Sequence, residues 1–334
     1  MDHSFRKRIW LTLRLLVSAL LLAWLILQYD WYLVWQAMLQ ASLWGIAALI
    51  AGVLVNRLVA YYRFWVVLRT EGAELSLGAI LRLGFLSSFV TNFLPTTIGG
   101  DVVKVGWLVS RGYSAWRSAF WTLYDRLSNM AAVLLLLPFC LSLPTIETRL
   151  AEQVNVKVDV TIQLFIFITL CLVSGVIFGL GKVKPAPALT PEEPLEKGFF
   201  QRVAETWHKL LPRRGTFGLL VAISLISIIP NLLGTWLIAI DMDIKVSLAQ
   251  VTGIYVVLYF VTLLPISLNG LGVQEVTTAY LYQSLGATQA QAAALAVLMR
   301  FAIWMTSLPG AIWLGRGVIT TPSQIPVEQV KENG

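Results

Sequence analysis

Long apolar runs dominate the chain, and they fix its fold class before any motif is considered. Six can be drawn as continuous spans, at 15–28, 43–67, 118–143, 160–181, 215–240 and 288–314. Several reach the ~20 residues that a helix needs to cross a bilayer. Two further runs, at 78–94 and 248–264, end in breaks rich in Pro and Gly. Charged residues make up 13% of the chain, against ~25% in ordinary soluble domains, which excludes a soluble fold. The pattern predicts an all-α polytopic membrane protein with about six full spans.

The first run follows Arg6, Lys7, Arg8 and Arg14, as a signal peptide would. No small-x-small cleavage site follows, because the next residues are Tyr29, Asp30 and Trp31. The run is therefore expected to stay in place as a signal anchor. Cys140 and Cys171 both fall in apolar spans, which suggests neither a disulfide framework nor a thiolate metal site. The net charge of +7 invites a nucleic-acid reading, but its distribution decides otherwise. Of the 25 Lys and Arg residues, nineteen fall on one side of the six-span map, three on the other (Arg149, Lys157, Lys245) and three within spans (Arg57, Arg126, Arg300). The positive-inside rule makes the rich side cytoplasmic. Both termini are then expected in the cytoplasm, the chain in a bacterial inner membrane, and no nucleic acid among its partners.

On this map Arg69, Arg82, Lys104 and Arg111 share the cytoplasmic side. Residues 78–110 must then enter from the cytoplasm, turn near 95–100 and return, as a re-entrant hairpin or two short paired helices. The expected organisation is an N-terminal half, 1–181; a cytoplasmic linker, 182–214; a C-terminal half, 215–318, with its own hairpin at 248–286; and a cytoplasmic tail, 319–334. The linker opens Pro-rich and continues with Leu195, Phe199, Val203, Trp207 and Leu210 at helical spacing. That spacing fits an interfacial helix on anionic lipid or a plain connecting helix. Trp24, Trp31, Trp35 and Trp44 read as interfacial anchors.

The two broken stretches resemble each other. Ser76 to Pro95 spans 19 residues and Ser247 to Pro265 spans 18. Each continues with a glycine-rich turn, an acid (Asp101 or Glu275) and a further glycine (Gly112 or Gly286). From that glycine to an arginine within a span is 14 residues in both, reaching Arg126 and Arg300. One copy enters from the cytoplasm and the other from outside. The hairpins are thus expected to be inverted repeats, the arrangement by which transporters place a site at the bilayer midplane.

Ionisable side chains within spans cost ~3 kcal/mol each on insertion scales and face a cavity or a partner. Here they are Arg57, Asp101, Lys104, Asp125, Arg126, Glu275 and Arg300, accompanied by amides including Asn92, Asn129 and Asn269. Asp125 and Asn129, four apart, share a helix face. A helix broken at 95–100 frees backbone amides, tolerated in the membrane only inside protein or against a cavity. A new helix starting after Gly100 presents a partly positive end, which with Arg126 suits an anion such as a phosphate. Other readings stay open: Asp101 as a helix cap, Asp101 and Lys104 as a local pair, and Arg126 paired with a buried acid. His3 and His208 lie in the tail and linker, so no His-based metal site or triad is evident. No GxSxG, Walker loop or Cys pair is present.

The stretches "NFLPTTIGGDVVKVGWLVSRGYSAWRSAFWTLYDR" and "LPISLNGLGVQEVTTAYLYQSLGATQAQAAALAVLMR" resemble the two signature regions of the lysylphosphatidylglycerol synthase transmembrane-domain family. The resemblance covers residues 10–318. Asn92, Pro95, Gly99, Gly100 and Asp101 match its first motif, Asp125 and Arg126 the acid–arginine element after it, and Pro265, Gly270, Gly272 and Glu275 the second. It implies lipid translocation: aminoacylated phosphatidylglycerol in members fused to a synthase, and other phosphate-bearing lipids, including polyprenyl carriers, elsewhere. No synthase domain is expected after Gly334, and this chain is then expected not to make the aminoacyl lipid.

The expectation is therefore a flippase for a lipid with an anionic head group, and not an enzyme. Its substrate residues would be Arg126, Arg300, Asn92, Gly99, Gly100, Asn269, Gly272 and Arg57. Asp101, Asp125, Glu275 and Lys104 would balance charge or carry a coupling proton. No cofactor or metal is expected; a homo-oligomer and a separate lipid-modifying enzyme are conceivable partners. The rival readings are a secondary transporter of a small soluble anion, an intramembrane transferase with Asp101 or Glu275 as base, and a scaffold that transports nothing.

Overall fold

A computed structural model describes residues 3–93, 99–143, 214–264, 267 and 269–315, and all regular structure among them is helical. In chain order the elements are α1 (His3–Gln28), α2 (Trp31–Gln40), α3 (Leu43–Thr70), α4 (Leu77–Phe93), α5 (Gly99–Ser110), α6 (Ala115–Leu135), a 3-10 turn (Leu137–Ser142), α7 (Arg214–Asp241), α8 (Leu248–Leu263), α9 (Val273–Ser284), α10 (Gln289–Ser307) and α11 (Gly310–Gly315).

Among the described residues, three stretches are long and apolar enough to cross a membrane: Leu43–Thr70, Gly215–Asp241 and Gln289–Leu314. Leu15–Gln28 and Trp31–Gln40 make a fourth only across a bend of 85°. Asp30 sets that bend by capping α2, its carboxylate accepting from the amides of Tyr32 and Leu33, and a cap of this kind is worth ~1 kcal/mol. Trp24, Trp31, Trp35 and Trp44 are all exposed. The run at 118–143 is not one helix. It leaves α-geometry after Leu135 and enters the 3-10 turn at Leu137, just before Pro138, because proline cannot donate to the ladder and disfavours α-geometry in the residue preceding it. The expected span at 160–181, the linker as far as residue 213 and the tail at 319–334 lie outside the described residues.

The centre of the fold is the packing of α3 against α7. Asp241, at the end of α7, accepts from the amide of Ser42, just before α3, at 2.5 Å. Midway, Asn56 donates to the Ser227 carbonyl at 2.8 Å. The two helices are therefore antiparallel. Glycines let their backbones touch: a Cβ on Gly52 would strike the Pro230 carbonyl, and one on Gly234 would lie 2.5 Å from the Ala48 carbonyl oxygen. Small residues at such crossings are the usual means of close helix packing in membranes.

Each of these helices is followed by a short loop and a helical pair. At about 1.5 Å per residue, α4 and α5 are ~25 and ~18 Å long and α8 and α9 ~24 and ~18 Å, all short of the ~30 Å hydrocarbon core. The same contacts secure both loops. Trp65 Nε1 donates to the Leu75 carbonyl at 2.8 Å, and Trp236 Nε1 to the Val246 carbonyl at 3.0 Å. Arg117 Nη2 reaches the Glu71 carbonyl at 3.4 Å, where Gln291 Nε2 reaches the Met242 carbonyl at 2.9 Å. Trp107 and Trp121 join Phe64, Leu68, Ile80 and Leu83 in an apolar cluster that seats the first pair. A larger cluster, including Leu49, Ile228, Ile254, Tyr282 and Leu295, seats the second.

Candidate functional site

The first two turns of α5 hold Asp101 and Lys104, three apart and so on one face of the helix. Opposite, α6 presents Asp125, Arg126 and Asn129. Arg126 Nη2 pairs with Asp101 Oδ2. Lys104 Nζ stands 3.9 Å from Asp101 Oδ1 and 4.0 Å from Asp125 Oδ2, beside the ring of Phe64. Asp125 Oδ1 accepts from Arg63 Nε at 2.7 Å. Arg63 Nη1 also donates to Asn129 Oδ1 at 2.8 Å and Ser224 Oγ at 2.6 Å, which joins α3, α6 and α7. Arg63 and Asp125 are 4% and 5% exposed, whereas the Arg126 side chain is 57% exposed. The result is an unbroken row of alternating charge: Arg63, Asp125, Lys104, Asp101, Arg126.

The second helical pair repeats part of this. Arg300 Nε donates to Glu275 Oε1, and both residues are buried. In each pair the acid and arginine stand 25 residues apart, Asp101 with Arg126 and Glu275 with Arg300. The surroundings differ. Glu275 Oε2 accepts the Gly272 amide at 2.8 Å, and Arg300 Nη2 donates to the Gly270 carbonyl at 3.2 Å. The break is shaped by left-handed backbone at Asn269, Gly270 and Gly272, with φ of 48°, 75° and 82°. Glycine adopts these angles freely and asparagine tolerates them.

The two breaks meet, Asn269 Nδ2 donating to Asn92 Oδ1 at 2.8 Å. Gly99 and Gly100 are buried at the start of α5. Gly100 sits tight against α4, where Ser87 Oγ donates to its carbonyl at 2.8 Å and a Cβ would collide with Thr91 and Ser87. The Gly272 amide, expected to face substrate, is already engaged by Glu275. Arg57 stands apart from both clusters and donates to the Ile303 carbonyl at 3.0 Å, near the negative C-terminal end of α10.

Arg63 is the residue that sequence reasoning missed, having been assigned to the cytoplasmic flank. The signal available for it was Asp125, since a carboxylate within a span needs a cation. Among the described residues no group of three His, Cys, Asp or Glu side chains is placed to hold a metal ion. Among the described residues, Arg57 and the two clusters together set five cations, Arg57, Arg63, Lys104, Arg126 and Arg300, against three acids, Asp101, Asp125 and Glu275.

No curated protein and no solved structure matches the chain. Residues 11–310 match the family described as the lysylphosphatidylglycerol synthase TM region. With both signature stretches inside that match and two acid–arginine pairs built on helices that pack within an apolar, membrane-spanning frame, the chain belongs to the lysylphosphatidylglycerol synthase transmembrane-region family.

Proposed function

We propose that this lipid-handling membrane protein is a transporter that moves a phosphate-bearing lipid between leaflets, and that its two helical pairs are inverted repeats. The observation that carries the reading is the acid–arginine pair behind each break, at the same 25-residue separation, with the breaks joined by Asn92 and Asn269. The antiparallel packing of α3 and α7 supports the inversion. Arg126 and Arg300 each lie 11 residues into their helices, ~16 Å along the axis, which is near the middle of a ~30 Å core. The excess of cations over acids in and beside the two clusters suits an anionic head group, with the tails left in lipid. Arg126, exposed on one side, is the head-group ligand in this reading.

The test is reconstitution into vesicles containing tail-labelled phosphatidylglycerol, with leaflet exchange followed by quenching from outside. The wild type should accelerate exchange. Arg126→Gln should slow it about tenfold, the scale of one lost charge-assisted hydrogen bond. Arg126→Lys should recover part of the rate, because an ammonium lacks the planar fork. Full-rate exchange by Arg126→Gln would remove Arg126 from the mechanism. Uptake of inorganic phosphate without lipid exchange would favour the soluble-anion reading instead.

A further inference from the structure

An arginine already paired with a carboxylate can accept a second anion only if that carboxylate has another cation to turn to. Otherwise a partly buried carboxylate is left without a partner, which is strongly destabilising. The two copies differ on this point. In the first, Lys104 Nζ is 3.9 Å from Asp101, so Asp101 can leave Arg126 and remain paired. Asp125, which shares Lys104 at 4.0 Å, keeps Arg63 at 2.7 Å whichever way Lys104 moves. In the second copy, no cation other than Arg300 among the described residues lies within ion-pair distance of Glu275. Glu275 is also held by the Gly272 amide.

In the proposed repeat, the second helical pair is built without the added charges. The spacing that aligns Trp65 with Trp236 sets Gly234 against Arg63, and the spacing that aligns Arg126 with Arg300 sets Thr278 against Lys104 and Met299 against Asp125. Arg63, Lys104 and Asp125 are thus particular to the first copy, where the arginine at the end of the row is open, while Arg300 is buried.

We propose that Arg63, Asp125, Lys104, Asp101 and Arg126 form a counter-ion relay that makes Arg126 the single exchangeable anion site among the described residues. A phosphate-bearing ligand displaces Asp101 from Arg126, Asp101 turns to Lys104, and Asp125 settles on Arg63. Lys104 and Arg63 are positioning residues, which need not touch the ligand. Glu275 and Arg300 act as a closed clasp on the second break. The proposal rests on the anionic-ligand reading above and adds which arginine takes the anion and why.

The test is a double-mutant cycle on the full chain in neutral detergent, with dioleoyl phosphatidylglycerol and, separately, inorganic phosphate as probes, and bound ligand measured by native mass spectrometry. Asp101→Asn should strengthen binding, because an amide competes less for Arg126. Lys104→Gln should weaken it about tenfold. In the Asp101→Asn background, Lys104→Gln should cost no more than about threefold, since no carboxylate then needs a new partner. If Lys104 merely attracted the anion, its loss would cost the same in both backgrounds, and that result overturns the relay. Saturable binding that survives Arg126→Gln but vanishes in Arg126→Gln/Arg300→Gln overturns the single site. Binding of the lipid in preference to phosphate assigns the anion to a head group; equal binding assigns it to a free anion, with the relay supported in either case by the cycle. Vesicle exchange on the same preparations separates the two readings: exchange with an additive cycle overturns the relay alone, and a non-additive cycle without exchange overturns transport alone.

Discussion

Asn269 and Asn92, 177 residues apart, join the two helix breaks through a single amide–amide hydrogen bond of 2.8 Å. Removing it by Asn92→Ala should cost about 1 kcal/mol. Asn269→Ala should cost more, because Asn269 has φ of 48°, and a Cβ-bearing residue without a local hydrogen-bonding side chain pays roughly 1–2 kcal/mol there. Asn269→Gly relieves the backbone and should resemble Asn92→Ala. Thermal unfolding in detergent measures the order, and equal losses for Asn269→Ala and Asn269→Gly would contradict it.

The inverted reading has a direct geometrical test. Glu74 and Lys245 are exposed and sit at matching positions in the loops after α3 and α7. Single cysteines there, in a background lacking Cys140 and Cys171, should react with a membrane-impermeant thiol reagent from opposite sides, Glu74→Cys from the cytoplasmic side. Labelling of both from one side would show that the copies are not inverted.

Gly52 and Gly234 should be intolerant of any side chain. A Cβ at either meets a backbone carbonyl on the facing helix, which cannot turn aside as a flexible side chain can. Gly52→Ala and Gly234→Ala should each destabilise by roughly 1–3 kcal/mol through forced separation of α3 and α7. Gly106 meets nothing within 4 Å and lies within α5, so Gly106→Ala should be neutral or slightly stabilising. The comparison of melting temperatures across the three checks the packing.

Asp125 and Arg63 form a buried pair, and breaking it from one side should be worse than removing both. Asp125→Asn leaves the Arg63 guanidinium without its carboxylate and should cost about 3–5 kcal/mol. Arg63→Met/Asp125→Asn should recover part of that loss, since neither charge then remains to be satisfied. A double variant as unstable as the sum of its two single changes would mean that the pair contributes nothing as a pair.

The breaks were legible in the sequence because proline, glycine and charge are conspicuous in apolar surroundings. The equal spacing from Asp101 to Arg126 and from Glu275 to Arg300 could be read there, and the structure places both as ion pairs. What the sequence withheld depends on three-dimensional contact. Arg63 looked like a flanking residue because α3, at 28 residues or ~42 Å, is longer than a bilayer core, and sequence alone does not say which part of such a helix lies within the membrane. The engagement of the Gly272 amide by Glu275 was hidden for another reason. The same Gly-x-x-Glu spacing serves either a free anion cradle or a self-capped helix start, and the difference lies in where the carboxylate turns.

The twin joints at Arg117 and Gln291 bear on how such a protein comes to sit the right way up. Both side chains close a loop by donating to a carbonyl, of Glu71 and of Met242, and the neutral amide does this at least as closely as the guanidinium. The hydrogen bond of the joint therefore needs no charge, although the Arg117 guanidinium also lies 5.1 Å over the Trp121 ring. A guanidinium and an amide can close the same loop, so the charge at this position is open to serve orientation at the cost only of that ring contact.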